Sequence, residues 1–91
     1  MKEIICKKRE AYAVETGDYV GQVFVVIRVG DSVECLSLPA MNNISIPRES
    51  FISGRKTGII TLLETLPRSV FKISEAQYYS NSNENIDNRF E

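Results

Sequence analysis

Ninety-one residues, 43% of them hydrophobic, make one domain with a single modest core, because a chain of this size buries only roughly 60–65% of its unfolded surface. Eleven basic residues against twelve acidic ones leave a net charge of −1, the wrong balance for a chain that lives wholly on phosphate backbones. No apolar run approaches the about 18 residues of a membrane span, and there is no histidine, which removes the commonest general base and every Ser-His or Cys-His nucleophile.

The chain opens "MKEIICKKRE". Glu3 sits in the head and charge returns after three apolar residues, which is not the pattern of a signal peptide. A cytoplasmic location is therefore expected, with Cys6 and Cys35 as two reduced, buried thiols. "EIICK" (residues 3–7) and "AYAVE" (residues 11–15) are short strand candidates on either side of a charged run. Lys7, Lys8 and Arg9 are balanced by Glu3 and Glu10, too short a run for a nucleic-acid arm, and read as a solvated loop.

Residues 15–18, Glu-Thr-Gly-Asp, are turn chemistry leading into the longest strand. From 19 to 29 the residues alternate with period two and are rich in β-branched side chains. Gly30-Asp31 suits a two-residue turn of the primed type, with positive φ at Gly30. That turn pairs Val29 with Ser32, Ile27 with Glu34, Val25 with Leu36 and Val23 with Leu38. On the other face it pairs Phe24 with Ser37, Val26 with Cys35 and Arg28 with Val33. Away from the turn both faces of the hairpin are apolar, so each must meet something: the short helix or the Tyr78-Tyr79 segment lies over the outer face, or that face is an exposed patch that meets a partner.

Pro39 ends the second arm, since it cannot donate to a ladder. "AMNN" reads as a loop and "ISI" (residues 44–46) as a short strand. "PRESFIS" follows as one or two helical turns, with Pro47 at the first helical position, Gly54 at the C′ position, and Phe51 and Ile52 turned inward. "TGIITLLE" (residues 57–64) is a strand, and "SVFKI" (residues 69–73) the last strand candidate. Ser74 and Gln77 have capping-box spacing, so residues 75–79 are expected to close the fold with a helical turn. The domain is expected over residues 1–79. The Asn/Ser/acid-rich tail, residues 80–91, is expected to be disordered.

Short strands at spacings of roughly 8 to 14 residues, with one short helix before a late strand, predict a mainly β fold. "GDYVGQVFVVIR" (residues 17–28) resembles the turn-then-long-strand opening of SH3-like barrels, a likeness that covers a dozen residues. It implies a small SH3-like barrel, and the alternative is a strongly bent antiparallel sheet with a helix on one face.

The absent chemistry narrows the function. Two cysteines 29 residues apart with no histidine do not make a structural zinc site. The carboxylates are scattered, with no pair placed for acid–base work or a metal. "GRKTG" (residues 54–58) has Arg55 where a phosphate-binding loop needs Gly before Lys56, and it leads into a strand. No catalytic residue, cofactor or metal is expected, and the chain is read as a non-enzymatic protein.

Two binding readings remain. In the first, one apolar face of the hairpin docks on another protein or on a second copy of the chain, through Val23, Val25, Leu36 and Leu38, with Tyr78 and Tyr79 beside them. This describes an interaction module, a small regulator or inhibitor of a larger assembly, and the composition resembles that of small phage accessory proteins. In the second, Arg48, Arg55, Lys56, Arg68 and Lys72 give residues 48–72 a local excess of three positive charges. An SH3-like barrel would use that face on nucleic acid, with Phe51 or Tyr78 as stacking groups. Packing in the core is the competing role for both aromatics.

Overall fold

A computed structural model describes the backbone over residues 6–90 and the side chains over residues 6–82. Five strands and two helices follow in the order β1 (Glu10–Val14), β2 (Val23–Val29), β3 (Ser32–Leu38), β4 (Asn42–Pro47), α1 (Arg48–Thr57), β5 (Ile60–Thr65) and α2 (Arg68–Phe90). All pairings are antiparallel, in the spatial order β4-β3-β2-β1-β5. The sheet does not close into a barrel: β4 and β5 are its two edges. The fold is a mainly β, open five-stranded sheet with two helices, and the expected barrel gives way to it. The strand candidate at residues 3–7 lies largely outside the described residues, and Cys6 and Lys7 are not in a strand.

The hairpin β2–β3 explains its own composition. Val23–Val26 pair with Leu38–Cys35 in the register that alternation dictates. The register then shifts by one at Ile27, so that Arg28 faces Glu34 and Val29 faces Val33. Without that shift a buried Ile27 would oppose a carboxylate. With it, opposite charges pair across the strands. The turn therefore holds three residues between paired positions, closed by the Gly30 amide donating to the Ser32 carbonyl at 3.0 Å. Gly30 is not left-handed, which corrects the two-residue primed turn.

Each face of the sheet then takes a helix. On one side Tyr12, Val14, Phe24, Val26, Val33, Cys35 and Ile60 pack with Phe51 of α1. On the other, Ala11, Val25, Ile27 and Leu36 pack with Leu66 and with Phe71 and Tyr78 of α2. The result is three layers, helix on sheet on helix, and the hairpin is apolar on both faces because both are interior.

α1 is ten residues long, longer than the one or two turns expected. Pro47 stands at its N-cap and Gly58, with φ of 82°, closes it in the left-handed conformation. Gly54, expected at that end, lies inside the helix and is buried. A Cβ there would sit 3.3 Å from Ile60 Cγ1, so the missing side chain lets α1 approach β5.

Residues 69–73 are the first turns of α2, not a strand. Phe71, Ser74 and Tyr78 are buried at spacings of three and four, the stripe of an amphipathic helix. Ser74, read as a cap, faces the sheet. The tail, residues 80–91, falls mostly on side chains outside the described residues. Asn81 and Ser82 are described, and both touch β4 or its turn.

Candidate functional site

The residues expected to meet a partner are divided by burial. Val25 and Leu36 are about 1% exposed beneath α2, and Tyr78 is buried with them. Val23 and Leu38 are half-buried at the border of the same cluster, and Tyr79 is exposed. The side chains chosen as an outer face thus form the seat of the chain's own helix.

That seat is locked by polar contacts. The Tyr78 hydroxyl donates to Glu34 Oε1 at 3.1 Å, and Ser45 Oγ donates to Glu34 Oε2 at 3.0 Å. Asn43 Nδ2 donates to the Tyr78 carbonyl at 3.0 Å. Asn81 Nδ2 donates to the Met41 carbonyl and to Asn43 Oδ1. Burial, then the bond to the Glu34 carboxylate, raises the Tyr78 phenol above its ordinary pKa.

The α1 face is less complete. α1 covers Tyr12, whose ring meets Phe51 edge-on at 5.1 Å and carries the Arg55 guanidinium at 5.2 Å. Beside α1 a groove of about 540 Å³ stays open. Its floor is Phe24 and Phe51, one wall is Ile44 and Ile46 of β4, and Tyr19 and Ile59 form the rim. Tyr19 and Ile59 are 47% and 42% exposed. The Tyr19 ring leans on Phe24 at 5.8 Å. The wall comes from an edge strand, so an apolar groove lies beside a row of backbone groups with no strand partner among the described residues. Patterning alone does not find these residues. Ile44 and Ile46 look like any short strand, and Tyr19, expected to begin the long strand at residues 19–29, sits instead in the turn before β2.

The basic residues are divided too. Arg48, Arg55 and Lys56 belong to α1, while Arg68 and Lys72 belong to α2 on the opposite face. Arg48 donates to the Gly30 carbonyl at 3.2 Å. Arg68 and Lys72 instead join Lys8 and Arg9 around a second cavity of about 420 Å³, closed by Phe71 and Glu75. The short run expected to be a solvated loop thus supplies two of its four cations. Phe51 is fully buried and Tyr78 nearly so, which leaves neither as a platform for a base.

Cys6 and Cys35 are free and buried on the α1 face. Burial pushes the Cys6 thiol up to about 11 and raises Cys35 further, the reverse of an activated nucleophile. Tyr12 is raised by burial and by its bond to Glu10 Oε1 at 2.7 Å. Among the described residues no three metal-ligating side chains converge. No helix there is long and apolar enough to cross a membrane. No family model, curated protein or solved structure matches the chain.

Proposed function

We propose that this protein is a non-catalytic binding module that takes an extended segment of another protein into the groove beside α1. The open apolar groove flanked by the unpaired edge of β4 carries this reading. A strand added to β4 would gain backbone hydrogen bonds along that edge. Its alternate side chains would fall on Ile44, Ile46 and the Tyr19 rim, the mode known as β-augmentation. The surface differs from the hairpin face expected from patterning, but the class of function is the same: an interaction protein of the cytoplasm, a small regulator of a larger partner. The strand order, a four-stranded meander whose helical crossover brings β5 back beside β1, supports reading the fold as an SH3-like layout left open between β4 and β5.

The test uses the full chain as bait in native extract, wild type beside the double variant Tyr19→Lys/Ile59→Lys. Both positions are exposed, so the variant keeps its fold, which a thermal melt checks. The expected result is a protein band that survives nuclease and high salt with wild type and is lost with the variant. In the purified complex, β4 amides gain protection from hydrogen exchange. A band retained by the variant, or one that salt removes, would sink the groove reading. Elution of the free chain as a dimer that Tyr19→Lys/Ile59→Lys dissociates would assign the groove to a second copy instead.

A further inference from the structure

The cavity at the start of α2 lies on the other face of the sheet from the groove and has a different chemistry. Lys8, Arg9, Arg68 and Lys72 line it with Phe71 and Glu75. The ion pair between Lys8 Nζ and Glu75 Oε2, at 3.4 Å, uses the one carboxylate of the lining. That pairing leaves Arg9, Arg68 and Lys72 as an excess of three positive charges around about 420 Å³.

Arg9 is tied to Leu66 through both its side chain and its backbone. Its Nε donates to the Leu66 carbonyl at 3.0 Å, and the Leu66 amide donates back to the Arg9 carbonyl at 2.8 Å. Arg9 has φ of 82°, a left-handed conformation uncommon for a residue with a side chain. The Nε bond fixes the plane of the guanidinium and leaves its terminal nitrogens free of that contact. α2 begins here with no acidic residue in its first turn, so nothing there neutralises the positive end of its dipole.

We propose that this cavity binds a small phosphomonoester. Three observations select that ligand. Two guanidinium forks and an ammonium suit a tetrahedral dianion with three acceptor oxygens better than a planar carboxylate. The volume exceeds that of a phosphate alone and lies in the range of small-molecule sites, so it leaves room for a small organic remainder beside the phosphate, above a buried Phe71 ring that Lys8 Nζ already caps at 5.6 Å. The site is also one closed patch and not a track. The α1 cations lie on the far side of the sheet, so a nucleic-acid strand would find one local group of phosphate contacts and no exposed ring in the lining of the cavity.

Phenyl phosphate is the probe, titrated into ¹⁵N-labelled full-length chain at physiological ionic strength, with single-stranded oligonucleotide and sodium sulfate in parallel. The expected result is a saturable set of amide shifts confined to residues 8–9 and 66–75. Arg68→Gln/Lys72→Gln should weaken it about tenfold or more, and Arg48→Gln/Lys56→Gln should leave it unchanged. Both double variants alter exposed side chains, and a thermal melt confirms that they fold. The proposal is overturned if the shifts do not saturate, if sulfate reproduces them at the same concentration, or if the α1 variant weakens binding equally. It is also overturned if oligonucleotide binds more tightly than phenyl phosphate with shifts on both helices.

Discussion

The two faces of the sheet are built from one meander and end up differently finished. α2 starts just after β5 and runs to β4, and the stretch whose side chains are described, residues 68–82, corresponds to about 22 Å. Five strands span roughly 19 Å from edge to edge. α2 covers β2, β3 and β4 on its face, and its far end is tied to β4 through Asn43, Asn81 and the Glu34–Tyr78 contact. α1, at ten residues, reaches about 15 Å and spends its ends in turns. It covers Tyr12 and Phe51 and leaves the groove beside β4. A helix about 4 Å shorter than its sheet is wide, a little under one turn, thus leaves one face with room for a partner.

The largest expected effect is loss of the α1 keystone. Phe51 is fully enclosed and meets Tyr12 edge-on. Phe51→Ala should cost about 4 kcal/mol in urea unfolding, most of the stability of a domain this small. Phe71→Ala should cost less, about 2–3 kcal/mol, because its ring borders the solvated basic cavity and the gap rehydrates. If Phe71→Ala proved the more damaging, α2 and not α1 would organise the core.

Alkaline pH should act through the α1 face next. The Cys6 thiol, raised from 9.0 to about 11, binds its proton more tightly in the folded chain than in the unfolded one. Its contribution to stability is complete below pH 9 and is lost as pH rises through 11. Cys35 and Tyr12, raised in the same cluster, act in the same direction. Urea midpoints should fall between pH 9 and 11, and Cys6→Val should flatten that fall. Native thiols should react with a disulfide reagent at pH 8 only after unfolding. Fast native labelling would contradict the burial on which the argument rests.

A smaller effect sharpens the α2 side. Tyr78→Phe removes a hydroxyl from the Glu34 carboxylate and leaves the ring in place. The expected cost is about 1–2 kcal/mol, since Glu34 keeps Ser45 as a donor. Urea unfolding measures it, and a cost near zero would mean that shape alone seats the helix.

How much of this was legible differs by element for physical reasons. The base of the hairpin follows from period-two alternation, and its register is right from Val23 to Val26. It fails at Ile27, because a bulge preserves alternation on both sides of itself and is set by what Arg28 and Val33 meet in three dimensions. The start of α2 looks like a strand in the sequence because residues 69–73 alternate and hold β-branched residues. Its true stripe, Phe71, Ser74 and Tyr78, uses a serine and a tyrosine at core positions, which weakens the helical period. Both candidate sites join segments distant in sequence: Tyr19 with Ile46 and Ile59, Arg9 with Arg68. The residue types were visible, but their convergence depends on the crossover that carries α1 over the sheet and on the Arg9–Leu66 bond pair.

The smallest stability effect tests the comparison most directly. If the groove is a surface left open and not a defect in the core, its rim should contribute little to folding. Tyr19 touches Phe24 with one edge and Ile59 is largely outside the cluster, so Tyr19→Lys/Ile59→Lys removes little buried apolar area. Its expected cost in urea unfolding is within about 1 kcal/mol, well below that of Phe51→Ala at the closed end of the same layer. A cost near that of Phe51→Ala would show that rim and keystone belong to one cooperative core, with no surface to spare for a partner. A near-neutral variant would separate the residues that hold α1 on the sheet from those beside it that are free to bind.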